Sequence, residues 1–270
     1  MKAANCRLGF VGFGHMAQII FSAVDRSKLI SRSQIQFLRR DRAKMKENEQ
    51  RYKITATTLE TLVHNSDLLI LSVRPQQANE VLDQLAAIGG LEGKWIVSIL
   101  AGVSIEAIAQ RLKVPVQIIR VMPNIASAVN EGMSILSFGP RCCPEFQSLT
   151  HQLFGAMGEV SELKEELLDI ACGMAGSGPG FVIRMIDAVA QAGVKHGIDY
   201  SASLKIAAQT FAGAAQLIQQ GQMPDDLIAQ IATPNGTTQA GLDVMRQKGI
   251  SEGIEAAIEA SALRSRELRL

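Results

Sequence analysis

Short apolar runs alternate with longer amphipathic stretches over roughly the first 160 residues of this chain. Runs of this kind predict buried strands, and the stretches between them carry apolar residues at helical spacing. Strands that alternate with helices of about 10–15 residues indicate βαβ units and a largely parallel sheet. The predicted strands are 7–11, 35–38, 68–73, 95–99, 117–121 and 134–138. The predicted helices are 15–27, 41–51, 58–64, 76–87, 104–111 and 144–156.

The strand pattern ends after about residue 164, and alanine-rich helical patterns follow. In the stretch 181–194, apolar and small residues recur in pairs near the helical period, and a second helix around 204–218 repeats the pattern. Small residues on these faces permit close helix packing. Because the helices carry more apolar surface than one compact bundle needs, we expect part of this region to pack against another subunit.

A glycine pattern joins the first predicted strand to the first predicted helix. It reads Gly12-x-Gly14-x-x-Ala17, with His15 and Met16 inside it. The first glycine permits a tight turn, the second lets the backbone approach a pyrophosphate, and the small third residue lets the helix pack on the strand. The phosphates would meet unpaired N–H groups at the helix N-terminus, so these five residues are predicted to bind a dinucleotide. A purely structural glycine turn is the alternative interpretation.

The residues after the second strand indicate which dinucleotide is preferred. An NAD site usually places Asp or Glu there to accept the ribose hydroxyls. Here Arg39 and Arg40 occupy these positions, and a guanidinium suits a phosphate dianion. We therefore expect NADP(H), with NAD(H) as the alternative, since Asp41 lies close by and solvated surface arginines would look the same.

Two further strand ends are predicted to contact the cofactor, because residues beyond the carboxyl ends of parallel strands line the ligand crevice. Val73, Arg74 and Pro75 follow one strand, and Met122 and Asn124 follow another. Asn124 either hydrogen-bonds the nicotinamide carboxamide or fixes a loop. Arg74 points into the crevice in our interpretation, with an ordinary surface arginine as the alternative.

Two small-residue turns open helices in the second half of the chain. Gly176 and Ser177 precede the long helix, where Ser177 can act as the N-cap and Pro179 suits the first turn. The second turn is 233–238, whose Gly236 and threonines offer N–H and hydroxyl donors to a carboxylate. In both turns, an ordinary helix start is the alternative interpretation.

These patterns predict an α/β Rossmann-type N-terminal domain with a mostly parallel sheet, followed by an all-α C-terminal dimerisation domain. The charged segment 162–166 marks the boundary. We place the dinucleotide-binding domain at 1–162 and the helical substrate and dimerisation domain at 163–270.

Composition narrows the functional classes. The formal net charge is +1, so no strong field favours nucleic acid or an anionic membrane, and no run of 18 apolar residues predicts a membrane span. The four cysteines form no CxxC pair, and the four histidines have no partner at metal-ligand spacing. We therefore expect free thiols, no metal site, no signal peptide and a cytoplasmic location.

The chain resembles the pyrroline-5-carboxylate reductases over essentially its full length. The order and spacing of the matching stretches make the resemblance specific. These stretches are Gly9-Phe10-Val11-Gly12-Phe13-Gly14-His15-Met16-Ala17, Ser72-Val73-Arg74-Pro75-Gln76, Ala101-Gly102-Val103-Ser104-Ile105, Arg120-Val121-Met122-Pro123-Asn124, Glu131-Gly132-Met133, Gly176-Ser177-Gly178-Pro179, Ala192-Gly193-Val194-Lys195, Ala207-Ala208-Gln209-Thr210 and Gly236-Thr237-Thr238-x-x-Gly241-Leu242.

The resemblance implies reduction of the cyclic imine 1-pyrroline-5-carboxylate to proline by a reduced nicotinamide. It implies a homodimer built through the helical domain, and in the family dimers often assemble into decamers. It places the substrate between the nicotinamide and the late turn, with the partner subunit completing the site. Thr238 and Ser177 are the catalytic candidates. The predicted substrate contacts are Gly176, Ser177, Asn235, Gly236, Thr237 and Thr238.

Several residues depart from the family pattern around the substrate. Ile125 and Ala126 stand where Thr-Pro is usual, Asn235 replaces a glycine, and Ile228-Ala229 replace a Lys-Asp pair. These departures keep two alternatives open. One is a dinucleotide-binding paralogue that reduces another cyclic imine or has a non-catalytic, regulatory role. The other is a 3-hydroxyacid dehydrogenase that would use Lys195 or Lys205.

Overall fold

The computed structural model describes residues 5–267 of the chain. These residues form eight strands and twelve α-helices. The strands are β1 Leu8–Val11, β2 Ile35–Leu38, β3 Thr55–Ala56, β4 Leu68–Leu71, β5 Trp95–Ser98, β6 Gln117–Met122, β7 Gly132–Phe138 and β8 Gly158–Glu162. The helices are α1 His15–Ser27, α2 Arg42–Tyr52, α3 Leu59–Asn65, α4 Ala78–Ile88, α5 Ile105–Leu112, α6 Pro144–Gly155, α7 Leu168–Ala171, α8 Gly178–Lys195, α9 Tyr200–Gln219, α10 Pro224–Ile231, α11 Thr237–Gln247 and α12 Ile250–Glu267.

The described residues fall into two compact units. One comprises the residues up to Gly176 together with those from Ala260 onward, and the other is Ser177–Glu259. We refer to them as the sheet unit and the helical unit. The predicted functional division after Glu162 stays a prediction.

The sheet unit is built on one eight-stranded sheet with the order β3-β2-β1-β4-β5-β6-β7-β8. All neighbouring strands are parallel except β6 and β7, so the sheet is mostly parallel as predicted. Every residue of β1, β4 and β5 is buried, as expected where helices cover both faces of a parallel sheet. On one face Phe10, Phe37 and Phe154 lie in a single apolar cluster, and a second cluster containing Leu69 and Ile96 covers the other.

The six predicted strands and the helices between them are confirmed, with shifts of a few residues at their ends. The predicted helix at 76–87 begins later, at Ala78, because Pro75–Gln77 forms a 3-10 turn. Two strands were not predicted, β3 and β8. β3 has two residues, and β8 reads Gly-Glu-Val-Ser-Glu at the edge of the sheet, so neither shows a clear apolar run.

The helical unit contains α8 to α11 and the first part of α12. Helices α8 and α9 pack closely where a Cβ on Gly193 would lie 2.5 Å from the Ser203 Oγ atom. This agrees with the prediction that small residues permit close helix packing. Within this unit the buried side chains among the described residues are Ala190, Ser203 and Ala207. None of the described helices is long and apolar enough to cross a membrane.

Candidate active site

The first glycine turn has the strained geometry that its sequence predicts. Gly12 has φ = 92°, and a Cβ there would lie 2.9 Å from the Ser72 carbonyl carbon and oxygen. The Gly12 N–H donates to the Leu38 carbonyl at 3.1 Å, and the Ser72 hydroxyl donates to the Gly12 carbonyl at 2.7 Å. Only glycine fits this position without backbone movement, and three strands meet to hold it.

Gly14 differs from Gly12 in what surrounds it. It is the N-cap of α1, and a Cβ there would meet no protein atom within 4 Å. The first turn of α1 carries no acidic side chain that would compete for its N–H groups and the positive end of the helix dipole. Ala17 is buried between helix and sheet. The turn therefore offers an anion site at Gly14 that the protein itself does not fill.

A cavity of about 510 Å³ adjoins this turn. It lies at the carboxyl ends of β1, β2 and β4, where ligands bind in open α/β sheets. Among the predicted cofactor residues, the cavity wall includes Gly12, Gly14, Arg39, Arg40, Val73 and Arg74. His15, Met16 and Ala17 continue from the turn into α1, and Pro75 opens the 3-10 turn after Arg74.

The charged side chains after β2 make different contacts. Arg39 donates from Nη1 to the Phe13 carbonyl at 2.9 Å and so ties the glycine turn to the end of β2. Asp41 is the N-cap of α2, and its carboxylate accepts from the Lys44 N–H at 3.0 Å. Arg40 and Lys44 are exposed at the cavity wall. These two cations line the cavity beside a carboxylate that is engaged in helix capping. Arg39, Arg74 and Glu80 are the other charged residues of the wall.

Lys44 and Ser72 are site residues that the sequence analysis missed. The helix-capping residue Asp41 puts Lys44 in the first turn of α2, beside the end of β2, so the cap motif could have identified it. Ser72 supports the Gly12 turn through its hydroxyl, and its position directly after a buried strand was the available signal.

A second group of predicted residues surrounds the end of β6. Asn124 is 8% exposed, and its Nδ2 donates to the Ala175 carbonyl at 3.1 Å. Its Oδ1 accepts from the Ala126 N–H at 3.2 Å and the Met133 N–H at 3.3 Å. A Cβ on Gly176 would lie 3.5 Å from the Met122 Sδ atom. Of the two roles predicted for Asn124, these contacts favour loop fixation.

The segment before the long helix contains a π-helix, Cys172–Gly176. Single π-turns often occur at functional sites. Ser177 occupies the N-cap position of α8 and Pro179 lies in its first turn, as predicted. The Ser177 side chain makes no capping hydrogen bond, however, so the predicted capping role of its hydroxyl is wrong. The backbone at Ser177 has αR angles, whereas an N-cap residue typically has extended angles.

The second turn lies in the helical unit. Asn235 has φ = 61°, so it does adopt the left-handed conformation that the substitution for glycine requires. Gly236 is the N-cap of α11 without a side-chain cap, and its N–H donates to the Thr233 carbonyl at 2.9 Å. The N–H groups of Thr237 and Thr238 lie in the first turn of α11, where no acidic side chain competes for them. The turn is a second helix N-terminus suited to an anion.

The cysteines with raised pKa values are poor candidates for nucleophiles. The described cysteines are free thiols, and burial raises the pKa of Cys6 to about 12 and that of Cys142 to about 11. Such thiols stay protonated near neutral pH and are poor nucleophiles. Among residues 5–267, no group of three or more His, Cys, Asp or Glu side chains is arranged to hold a metal ion.

A larger groove of about 1250 Å³ also lies on the sheet unit. Helix α5, the end of β7 and residues 162–166 line it, with acidic and basic side chains mixed. None of the predicted site residues is among its lining residues, so size alone does not identify the site here. The smaller cavity at Gly12 carries the geometry that fits a dinucleotide.

Comparisons with known proteins agree with this geometry. A family model described as pyrroline-5-carboxylate reductase dimerisation matches residues 165–268. A model described as NADP oxidoreductase coenzyme F420-dependent matches residues 7–102.

Individual relatives cover nearly the whole chain. Pyrroline-5-carboxylate reductase 1 of Bacillus spizizenii is 33% identical over 97% of this chain and 89% of its own length. The pyrroline-5-carboxylate reductase of Aquifex aeolicus is 34% identical over 97% of both chains. The crystal structure of Plasmodium falciparum pyrroline carboxylate reductase with NADP bound has a TM-score of 0.88, at 24% identity, over 98% of both chains. The chain therefore belongs to the pyrroline-5-carboxylate reductase family.

Proposed function

We propose that this protein reduces 1-pyrroline-5-carboxylate to L-proline, the last step of proline biosynthesis, with NADPH as the hydride donor. The observation that carries the proposal is a pair of helix N-termini, at Gly14 and Gly236, whose first turns lack acidic side chains, within a chain of this family. One suits a pyrophosphate and the other a carboxylate. No side-chain nucleophile or metal is required, because hydride transfer depends on positioning and electrostatic complementarity.

The residues at the first turn fit the cofactor. The open space at Gly14 lets a pyrophosphate approach the N–H groups of α1, and the Arg39 contact with Phe13 keeps the turn in place. Bound NADPH supplies the hydride. Val73 and Arg74 also line this cavity. We keep His15, Met16, Pro75 and Met122 as further proposed cofactor contacts.

The preference for NADPH is assigned to Arg40 and Lys44. Both side chains are exposed at the cavity wall beyond β2, where the ribose 2′ position is read. Asp41, which would favour NADH, already accepts a hydrogen bond from its own helix. A 2′-phosphate beside the start of α2 would therefore meet two cations next to a carboxylate that caps the helix. NADH is the weaker alternative.

The residues at the second turn are assigned to the substrate. The N–H groups of Thr237 and Thr238 would hold the carboxylate. The Gly236 N–H already donates to the Thr233 carbonyl, so Gly236 and Asn235 would shape the turn. The Thr238 hydroxyl would hydrogen-bond the imine nitrogen or relay its proton. Because a hydroxyl is a poor acid, uptake of an already protonated imine from solution is the equal alternative. Gly176 and Ser177 complete the proposed set, with Ser177 as the second catalytic candidate.

We also propose a cytoplasmic homodimer formed through the helical unit. This unit exposes many large apolar side chains, among them Ile183 on α8 and Ile206 on α9. Exposed apolar surface on this scale is typical of association sites. We propose that the dimers can assemble further into decamers.

An absorbance assay tests the activity. Purified protein is mixed with NADPH and pyrroline-5-carboxylate, and oxidation of the nicotinamide is followed alongside proline formation. We expect NADPH oxidation and proline formation to proceed at equal rates. Cofactor binding without oxidation would support the paralogue alternative, which the departures at Ile125, Ala126, Ile228 and Ala229 motivate. Oxidation with a 3-oxo acid instead would support the dehydrogenase alternative.

A further inference from the structure

Pro179 leaves a backbone carbonyl without its usual helical partner. In a continuous α-helix the Ala175 carbonyl would accept from the N–H of residue 179, but proline has no N–H. The next N–H, that of Gly180, donates to the Ser177 carbonyl at 2.9 Å. The chain therefore reaches the end of the π-helix with a carbonyl that needs a donor from elsewhere.

Asn124 supplies that donor from 51 residues away in the sequence. Its Nδ2 lies 3.1 Å from the Ala175 carbonyl oxygen. The Asn124 side chain is buried, and its Oδ1 is fixed by the N–H groups of Ala126 and Met133. One amide thus joins the loop after β6, strand β7 and the last turn of the π-helix, and its orientation is determined by all three contacts.

The surroundings keep this junction tight. A Cβ on Gly176 would lie 3.3 Å from the Cys172 Sγ atom, so a larger residue would require the neighbours to move. At the start of the same segment, the buried Asp169 carboxylate accepts from the Ser265 hydroxyl at 2.8 Å. The segment 169–176 is therefore held at both ends, directly before the chain leaves the sheet unit at Ser177.

We propose that Asn124 is a positioning residue for hydride transfer, acting through the Ala175 carbonyl that Pro179 leaves unpaired. This inference rests on the proposed function, in which the cofactor belongs to the sheet unit and the substrate turn to the helical unit. Hydride transfer is sensitive to displacements of about 1 Å. Turnover therefore requires that the segment 169–176 keeps one conformation. The affinity for the cofactor does not depend on this segment.

The pairing of Asn124 with Pro179 makes the test specific. Asn124→Asp keeps the acceptor for Ala126 and Met133 but removes the Nδ2 donor. Pro179→Ala restores an N–H that can pair with the Ala175 carbonyl. We expect Asn124→Asp to lower kcat by about tenfold or more, with the Kd for NADPH within about twofold of wild type. Pro179→Ala alone should leave kcat near wild type, and the double variant should recover most of the lost kcat.

Three results would overturn the inference. These are an unchanged kcat in Asn124→Asp, a double variant as slow as Asn124→Asp, or a weakened Kd for NADPH that Pro179→Ala does not restore. The last would make Asn124 a direct cofactor contact. If Asn124→Asp does not fold, Asn124→Ala with and without Pro179→Ala provides the same comparison.

Amide hydrogen exchange separates this inference from the proposed function. In the full-length protein, the peptide covering Cys172–Gly176 should exchange faster in Asn124→Asp and return towards the wild-type rate in the double variant. Unchanged exchange in Asn124→Asp would contradict the proposed junction. This readout needs no substrate, so it remains decisive if wild type fails to reduce pyrroline-5-carboxylate.

Discussion

The sheet unit and the helical unit differ in how much of their apolar surface they bury. In the sheet unit, large side chains such as Phe10, Phe13 and Phe37 are buried almost completely by the chain itself. In the helical unit the buried residues are small, while Ile183 is 62% exposed and Ile206 is 58% exposed. One unit completes its own core, and in our proposal the other leaves its apolar surface to a partner subunit. On this account, fold and assembly are encoded in different parts of the chain.

The first turn, at Gly12 and Gly14, and the second turn, at Gly236, show the same contrast between the units. Strands on both sides hold the first turn, through Leu38 and Ser72. The second turn is held by its own residues, with Gly236 bonded to Thr233 three residues earlier. The first turn is thus set when the sheet folds. The second turn, on our account, becomes a complete site only when two subunits associate.

An acidic substitution in the helical unit is expected to have the largest effect. Ile206→Asp places a charge on surface assigned to the partner, and its burial should weaken dimerisation by more than about 100-fold. Sedimentation velocity should show monomers that lack activity. The matched control is Val129→Asp, since Val129 is 68% exposed in the sheet unit. If both variants remain dimeric, the contrast between the units does not explain assembly.

Loss of the Thr238 hydroxyl should affect turnover next most strongly. We expect Thr238→Ala to lower kcat by about 100-fold, with NADPH affinity unchanged because the cofactor is assigned to the other unit. Steady-state kinetics and a fluorescence titration with NADPH measure the two quantities. Thr238→Ser keeps the hydroxyl and should retain most of the activity. Equal rates for wild type and Thr238→Ala would remove this residue from the mechanism.

The two glycines of the first turn should respond differently to alanine. In Gly14→Ala the new methyl group meets no protein atom, so stability is retained, but it occupies space assigned to the pyrophosphate. NADPH affinity should fall about tenfold or more. In Gly12→Ala the methyl group clashes with Ser72 at a positive φ, which should cost about 1–3 kcal/mol of stability.

Thermal unfolding and NADPH titration of the two glycine variants test this difference. A Gly14→Ala protein that binds NADPH like wild type would show that the open space is not the phosphate site. A Gly12→Ala protein of wild-type stability would show that the turn relaxes.

Charge reversal at Arg40 should change cofactor preference. Arg40→Glu removes a charge-assisted contact with the 2′-phosphate and should weaken NADPH about tenfold or more, with NADH affected little. Arg39→Ala is the control, because Arg39 supports the Phe13 carbonyl and its loss should affect both cofactors equally. Equal losses for NADPH and NADH in Arg40→Glu would refute the assignment.

The smallest effect concerns the stability of the sheet unit alone. The Arg7 side chain hydrogen-bonds Asp67 at 2.7 Å and lowers the pKa of that carboxyl. This contribution is present above the unfolded-state pKa and is lost as the pH falls through the lower folded-state pKa. Asp67→Asn should therefore cost about 1 kcal/mol at pH 7, with the difference from wild type vanishing in acid. A pH series of urea unfolding curves measures it, and a pH-independent difference would contradict the ionic origin.

Periodicity predicted most of the fold because the buried strands of a parallel sheet are continuous apolar runs. It failed for β8 at the sheet edge, because the sequence Gly-Glu-Val-Ser-Glu contains a single large apolar side chain. It also could not show that the last part of α12 belongs to the sheet unit. That placement involves long-range contacts such as the hydrogen bond from Ser265 to Asp169, and no local pattern records such contacts.

The site was predictable where one residue type is required by backbone geometry. Gly12 and Asn235 are examples, since both adopt positive φ angles. It was less predictable where a side chain has several available partners. Arg39 and Arg40 look equivalent in sequence, yet Arg39 is committed to the Phe13 carbonyl and Arg40 faces the cavity. Asn124 likewise spans three backbone groups that sequence alone could not bring together.

A crystal structure of the protein with NADP⁺ and L-proline bound tests the central claim most directly. The account predicts the pyrophosphate at Gly14, the proline carboxylate on the N–H groups of Thr237 and Thr238, and the proline ring carbon within about 4 Å of nicotinamide C4. A proline bound away from the Gly236 turn, or a nicotinamide far from the ring, would contradict it.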